Sequence, residues 1–152
     1  MTEKQRLDRF DNAILNILSH DGRIAVTDLA RRIGLSKSPT QARLKRLEQS
    51  GVITGYRALV DPIQTGRNHV AFVEIKLSDT REPALAAFNA AIRTIGEVEE
   101  CHMIAGAFDY LLKVRTSDMA AYRQVLGEKI SALPYVAHSS TFVAMQAVKE
   151  VG

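Results

Sequence analysis

The chain has 152 residues, of which 46% are hydrophobic and 24% are charged, and its formal net charge is +3. These values are typical of a globular protein with one medium-sized domain or two small ones. No run of about 18 apolar residues occurs, which excludes a membrane-spanning helix. Residues 1–11 are charged throughout and lack the apolar segment of a secretory signal. We therefore expect a cytoplasmic protein.

Cysteine and histidine are too sparse for a disulfide or a structural metal site. Cys101 is the single cysteine, and the four histidines are scattered along the sequence. An internal disulfide needs two cysteines, and a structural zinc site needs four ligands at characteristic spacing. We therefore predict neither a metal nor a cofactor.

The charge is distributed unevenly along the chain. Residues 1–60 carry 11 Lys and Arg against 6 Asp and Glu, a net of +5, whereas residues 61–152 carry 9 against 11, a net of −2. Six cations and no acid occur within residues 31–46. Such a cluster favours a polyanionic partner, although a solvated helix face has the same composition.

Two helices are predicted at the start of the basic half. The first ends at Asp21-Gly22 and has apolar residues at helical spacing. These residues are Leu7, Phe10, Ile14, Ile17 and Leu18. The second helix is about two turns long, with Thr27 as its N-cap and Gly34 as a left-handed stop.

A third helix is predicted to follow after a short turn. Ser36 is its candidate N-cap, Pro39 is acceptable in the first turn, and Gly51 closes it. Its inward face consists of Thr40, Leu44 and Leu47. Two helices joined by a short glycine-containing turn are typical of a helix-turn-helix unit.

A change of pattern after Gly51 marks the end of this unit. Residues 52–60 are rich in β-formers and are predicted to form a short strand or wing, which stops at Asp61-Pro62. Residues 61–68 are the expected linker. We therefore predict a DNA-binding winged helix-turn-helix domain over residues 1–60.

The remaining residues, 69–152, alternate regularly between strands and helices. Strands are predicted over residues 70–77, 98–104, 110–116 and 141–148. Pro83 opens the first intervening helix, Ser117 caps the second, and Pro134 ends it. The order βαββαβ is that of the ferredoxin-like plait, in which two helices cover one face of an antiparallel sheet. The whole chain is therefore an α+β protein.

The face of the sheet away from the helices is also apolar in the sequence. Val70 and Phe72 oppose the helix-facing residues of the first strand, and Val143 and Met145 oppose Phe142 and Val148 in the last. An antiparallel sheet with one face in water alternates more cleanly. We expect this face to meet another copy of the chain, giving a homo-oligomer, although scattered surface hydrophobes are the alternative.

The third helix presents side chains suited to duplex DNA. Its outward positions are Lys37, Ser38, Gln41, Ala42, Lys45 and Arg46. Gln41 can read adenine, and Lys45 and Arg46 suit phosphate or guanine. Ser36 lies at a helix N-terminus, which favours a phosphate in addition to capping. Arg43 is a further candidate DNA contact, or else a structural residue that braces the wing.

Motifs spread over nearly the whole chain resemble those of one known family. They are Leu7-Asp8-x-x-Asp11-x-x-Ile14-Leu15, Asp21-Gly22-Arg23, Leu35-Ser36-x-Ser38-Pro39-x-x-x-Arg43-Leu44-Lys45-Arg46-Leu47-Glu48-x-x-Gly51, Val98-x-Glu100-Cys101-His102, and Gly106-x-Phe108-Asp109-Tyr110. On these residues the chain resembles the Lrp/AsnC (feast/famine) family of transcriptional regulators, and most of all its leucine-responsive branch. The resemblance extends from about residue 6 to Lys149.

The resemblance implies a regulator that responds to a small amino acid. In this family a winged helix-turn-helix is joined to a ligand-binding plait, the plaits pair sheet to sheet, and four dimers often form a ring, an octamer. The effector lies between dimers, near three parts of the plait. On this sequence the implied positions are Gly106, Ala107, Asp109, Met119, Phe142, Val143 and Ala144.

These residue types suit a free amino acid, with one departure from the family. Asp109 can accept from the ammonium group, backbone N–H groups at Gly106 can bind the carboxylate, and Met119 with Phe142 can form an apolar wall. Each also has a structural interpretation as a turn or packing residue. Many relatives carry an acid where this chain has Ala107, so the effector is leucine, proline, another amino acid or none.

Enzymatic activity is not predicted. The sequence lacks a G-x-S-x-G motif, a phosphate-binding glycine loop and a His pair at ligand spacing. Cys101 and His102 are neighbours on a strand and so point to opposite faces. The alternatives are an architectural DNA-binding regulator without a working effector site and, less favoured, an amino-acid-metabolising enzyme with a plait domain.

Overall fold

The computed structural model describes residues 6–150 and separates into a unit that ends at Leu59 and a unit that begins at Val60. Residues 1–5 and 151–152, at the outer ends of the two predicted domains, lie outside the described part. The predicted linker, residues 61–68, forms a turn within the second unit, in which the Arg67 N–H donates to the Pro62 carbonyl at 2.7 Å. No helix in the described part is long and apolar enough to cross a membrane.

The first unit contains three helices, α1 (Arg9–Leu18), α2 (Val26–Ile33) and α3 (Lys37–Gln49). Gly34 follows α2 with φ +73°, and Gly51 follows α3 with the same φ, as predicted for left-handed helix stops. The prediction of Thr27 as an N-cap is wrong, because α2 begins at Val26 and Ala25 holds the cap position.

The core of the first unit is made by one fully buried residue from each helix. Ile14, Leu29 and Leu47 pack together, and the partly buried Leu44 and Ile53 lie against them. This apolar contact, with no β-structure involved, brings α3 against α1 and α2. It leaves the opposite side of α3 in solvent.

Residues 52–60, predicted to form a short strand or wing, form no strand, so that half of the prediction is wrong. This segment pairs with no other strand in the described part of the chain. The Ile53 N–H donates to the Leu47 carbonyl, and the Tyr56 hydroxyl donates to Glu48 at 2.9 Å. Its composition favours β-structure, but without a second strand no ladder of hydrogen bonds forms.

The second unit is an antiparallel sheet with helices between its strands. The elements are β1 (His69–Leu77), α4 (Glu82–Ile92), β2 (Val98–Met103), β3 (Tyr110–Thr116), α5 (Met119–Val125), which continues into a π-helical turn (Leu126–Ile130), and β4 (Val136–Val143). The strand order is β2-β3-β1-β4. The predicted βαββαβ plait is confirmed, with β3 at its predicted bounds.

The last strand lies earlier in the sequence than predicted. It pairs with β1 from Leu77↔Val136 to Ala71↔Val143, so it includes the polar stretch His138-Ser139-Ser140. Met145 and Val148, predicted to lie on this strand, follow it and are exposed. The predicted Ser117 cap is also wrong, because the Asp118 carboxylate accepts from the Ala121 N–H at the start of α5.

The two faces of the sheet differ in character. Alternate residues of β1 are buried against α4 and α5, as predicted, and these are Ala71, Val73, Ile75 and Leu77. On the other face Phe72 and Phe142 are direct neighbours in the register and are 38% and 54% exposed. Charged side chains lie on the same face, where Lys113 and Arg115 both pair with Glu99 and Glu150.

Candidate nucleic-acid interface and effector site

Helix α3 has a solvent-facing side opposite its buried residues. Thr40 and Leu47 are fully buried, and positions about half a turn away from them point outward. The exposed predicted contacts on or beside that side are Lys37, Ser38, Gln41, Ala42, Lys45 and Arg46. A helix carrying exposed polar side chains along one face has the geometry needed to enter the major groove.

The N-terminal turn of α3 leaves polar groups available. Ser36 holds the N-cap position as predicted, but its side chain makes no capping hydrogen bond. Its carbonyl accepts from the Thr40 hydroxyl at 2.9 Å, which keeps Thr40 turned inward. The Ser36 hydroxyl and the first backbone N–H groups of the helix therefore remain available to an anion such as phosphate.

Arg43 and Arg46 are engaged within the protein. Arg43 Nη1 donates to Asp8 Oδ2 at 2.6 Å and to Asp11 Oδ1 at 2.9 Å. Arg46 Nη2 donates to both oxygens of Asp11, at 2.6 and 2.7 Å. Arg43 thus braces α3 against the start of α1, not against the wing segment.

The two aspartates also form the N-terminal cap of α1. Asp8 accepts from the Phe10 and Asp11 N–H groups, and Asp11 Oδ2 accepts from the Asp8 N–H, which is a reciprocal capping box. The Asp11 N–H, with the Arg43 guanidinium, holds the pKa of the Asp8 carboxyl below its ordinary value. Hydrogen bonds to Asp8 and Asp11 raise the pKa of Arg43 above its ordinary value.

Asp109 is bonded within the second unit. Its Oδ2 accepts from the Leu77 N–H at 2.7 Å, and its Oδ1 accepts from Lys76 Nζ at 3.2 Å. These contacts tie the turn that contains Gly106 and Ala107 to the end of β1. Asp109 therefore has partners within the chain, and Lys76 is a contact that sequence reasoning missed.

The other predicted effector residues lie at the far end of the sheet. Val143 pairs with Ala71, six residues along β1 from Leu77, which is about 20 Å at the ordinary strand rise. Met119 begins α5, just after the end of β3 at Thr116. Phe142 and Ala144 flank Val143. One chain therefore does not bring the two groups of predicted residues together.

A cleft of about 680 Å³ lies in the second unit beside α5. Its charged lining residues are Arg67, Glu97, Arg115, Glu128 and Lys129. Most of this charge is already paired, since Lys129 Nζ lies 2.6 Å from Glu97 and Arg115 contacts Glu99 and Glu150. None of the predicted effector residues lines this cleft.

Both units match described protein families. Residues 70–152 match the Lrp/AsnC ligand binding domain, and residues 7–54 match a winged helix-turn-helix DNA-binding domain. The second match ends at residue 54, so it covers the three helices and only the first residues of the segment 52–60. Together the two matches include both groups of predicted site residues.

Comparison with individual proteins agrees with these matches. The chain is 64% identical to a proline dehydrogenase transcriptional activator of Rhizobium radiobacter, over 96% of this chain and 94% of the relative. It is 46% identical to the leucine-responsive regulatory protein of Salmonella typhimurium, over 95% and 88%. A transcriptional regulator of Neisseria meningitidis in complex with L-methionine shares the fold at a TM-score of 0.88 and 30% identity, over 95% and 94%.

Proposed function

Because this chain belongs to the Lrp/AsnC family of transcriptional regulators, we propose that it activates transcription of a proline dehydrogenase gene and takes proline as its effector. The observation that carries this proposal is the 64% identity to a proline dehydrogenase activator over nearly the full length of both chains. The identity to a leucine-responsive protein is 46%. Proline is the substrate of proline dehydrogenase. An activator that responds to proline would therefore raise the amount of the enzyme when its substrate is abundant.

We assign DNA recognition to the exposed side of α3. Gln41 reads a base edge, Ser38 bonds a base or a phosphate, and Lys37 and Lys45 contact phosphate or guanine. Ala42, small and exposed between them, admits close approach or contacts a thymine methyl group. Ser36 and the helix N-terminus bind a phosphate. In a dimer, two such helices match half-sites about one helical turn apart.

We assign the effector to a site that two copies build together. Asp109 and the turn at Gly106 and Ala107 come from one copy, and Met119 with residues 142–144 come from another. Two observations support this assignment: the two groups lie about 20 Å apart in one chain, and both are near the ends of a sheet whose open face carries exposed aromatic rings. Dimers formed through the open face, and a ring of four dimers, would satisfy this requirement.

The composition of the turn is compatible with proline. A primary ammonium group has three N–H donors, whereas the secondary ammonium of proline has two, so proline needs fewer acceptors. Asp109 is the single acid of the turn, residues 105–109. Met119 and Phe142, both about half exposed in one chain, supply apolar surface for the pyrrolidine ring.

Leucine is the second candidate effector, since a relative at 46% identity is named for its response to it. A DNA-binding titration distinguishes the two candidate effectors. A labelled duplex from the promoter of the proline dehydrogenase gene in the same genome is titrated with the protein, alone and with proline, leucine or methionine. We expect proline to change the affinity or the number of bound subunits at the lowest concentration. A response to leucine alone would replace proline, and no binding to this promoter would reject the assigned target.

A further inference from the structure

We infer that Asp11 is a positioning residue for DNA recognition, which holds Arg43 and Arg46 so that they orient α3 instead of contacting DNA. The inference rests on the proposed function only in that α3 is taken to bind DNA. It changes the role of two residues that the sequence places among the DNA contacts. It also gives a role to an acid on a different helix.

Asp11 is a buried carboxylate that accepts four hydrogen bonds. Its side chain is 2% exposed, and it accepts one bond from Arg43, two from Arg46 and one from the Asp8 N–H. Asp8 adds a second contact to Arg43, and the Arg43 guanidinium also lies 5.3 Å from the centre of the Phe10 ring. Charge-assisted bonds of this kind are short and directional, so they fix the two helices relative to each other.

The position of the arginines on α3 agrees with this role. Arg43 and Arg46 are three residues apart and so lie on one flank, which faces the start of α1. Ser38 and Lys45 lie on the solvent side, opposite Thr40 and Leu47. Lys45 makes no ion pair with any residue in the described range 6–150. Lys45 is therefore free of the Asp11 contacts, whereas Arg46, although 47% exposed, has its Nη2 bonded to Asp11.

Charge and geometry predict opposite effects when Asp11 loses its charge. Asp11→Asn raises the net charge of the DNA-binding unit by one and weakens the contacts that hold two arginines, so electrostatics alone predicts tighter binding to every duplex. If Asp11 positions α3, the same change weakens binding to the recognised sequence. The sign of the change therefore separates a positioning role from a role in setting charge.

The chain provides a matched control in Asp28. Asp28 pairs with Arg31 at 2.5 Å on α2, and both side chains are substantially exposed. Asp28→Asn removes the same charge without touching the α1–α3 contact. Binding is measured with the full-length protein on two duplexes of equal length, one enriched from a random library by the wild-type protein and one of scrambled sequence. Circular dichroism and the unfolding temperature establish that each variant is folded at the assay temperature.

We expect Asp11→Asn to lose about tenfold in affinity for the enriched duplex, the size of one mismatched base pair, and to bind the scrambled duplex as well as Asp28→Asn does. Equal behaviour of the two variants on both duplexes would overturn the inference. So would a lower unfolding temperature with unchanged affinity, which is the result of a purely structural contact. A wild-type protein that enriches no sequence would reject the proposed function as well.

Arg46 provides an independent test should Asp11→Asn fold poorly. Lys45→Gln, as a phosphate contact, lowers the slope of log affinity against log salt by about 0.9. We expect Arg46→Gln to leave that slope unchanged while weakening the enriched duplex. In the double variant with Asp11→Asn, Arg46→Gln adds little, because the two residues act as one unit. A full slope decrease with Arg46→Gln, or additive losses, would place Arg46 on the DNA and overturn the inference.

Discussion

The carboxylate of Asp109 accepts a hydrogen bond from the backbone N–H of Leu77 at 2.7 Å, and this bond joins the turn before β3 to the last residue of β1. The same carboxylate also receives Lys76 Nζ. An effector ammonium that uses Asp109 must therefore share it with these donors or displace Lys76. Displacement of a lysine from the end of β1 is a local change that ligand binding can transmit along the strand.

Asp109→Asn is expected to abolish the amino-acid response and to leave unliganded DNA binding intact. The amide keeps an oxygen that can accept from the Leu77 N–H, but it loses the charge that attracts an ammonium group. A thermal-shift screen of the twenty amino acids measures the loss, since a ligand at 100 times its dissociation constant adds about 2.7 kcal/mol to the wild type. An unaltered shift in the variant would remove Asp109 from the site.

Gln41→Ala is expected to relax base preference at one position of each half-site. The loss of a bidentate contact to adenine costs roughly 1–3 kcal/mol of discrimination. Competition between duplexes that differ at single positions gives the preference directly. Gln49→Ala is the matched control, because Gln49 is exposed at the C-terminal end of the same helix. Equal preference profiles for the two variants would exclude Gln41 from base readout.

Phe142→Asp is expected to shift the protein from dimers or larger assemblies to monomers. Phe142 and Phe72 lie side by side on the open face of the sheet, and a charge placed in an apolar interface is left without a partner. Sedimentation velocity measures the change. Met145→Asp is the control, because Met145 is exposed beyond the end of β4. An assembly unchanged by Phe142→Asp would show that copies meet elsewhere.

Tyr56 is expected to titrate far above an ordinary tyrosine. Partial burial, with the Glu48 carboxylate next, raises the pKa of Tyr56 to about 12. Because the neutral form is favoured in the folded state, Tyr56 stabilises the fold below the unfolded pKa, and this contribution is lost as pH rises from about 10 to about 12. NMR titration of labelled tyrosine rings gives the midpoint, which Glu48→Gln should lower. A midpoint near 10 in the wild type would contradict this contact.

Tyr122→Phe is expected to destabilise the second unit by about 1 kcal/mol, the usual value of a buried hydrogen bond. The Tyr122 hydroxyl lies 2.5 Å from that of Thr141, which links α5 to β4, and Tyr122 is fully buried. Calorimetric unfolding of the full chain measures the difference. Tyr135→Phe is a suitable control because Tyr135 is exposed. Equal unfolding curves for both variants would mean that this bond contributes nothing net.

Elements with a strong apolar period or a clear stop could be predicted from the sequence. The strand Tyr110–Thr116 is buried on one face along its length, and α3 lies between a serine cap position and a left-handed glycine. The strand Val136–Val143 was misplaced because its middle, His138-Ser139-Ser140, is polar. Its pairing with β1 determines the strand, and that pairing is a long-range contact that local pattern does not contain.

Residues on the solvent side of α3 could likewise be predicted, but the partners of Arg43 and Arg46 could not. Helical spacing shows which side of a helix is exposed. Whether a side chain at the edge of that side is bonded depends on the residues that the neighbouring helix places next to it. Here that is Asp11, more than 30 residues earlier in the chain. For the effector site, spacing gave no hint that Asp109 and Val143 lie at opposite ends of one sheet.

If the separated residues Asp109 and Val143 form the proposed two-copy site, effector binding depends on the concentration of the protein itself. In the proposed two-copy site, no isolated chain holds the effector fully, so the amino acid binds only where subunits have met. By linkage it then stabilises the assembled form and is itself bound more tightly when the protein is abundant. The concentration of effector that gives a half-maximal response therefore falls as the regulator accumulates, and a cell can retune its sensitivity by changing expression alone.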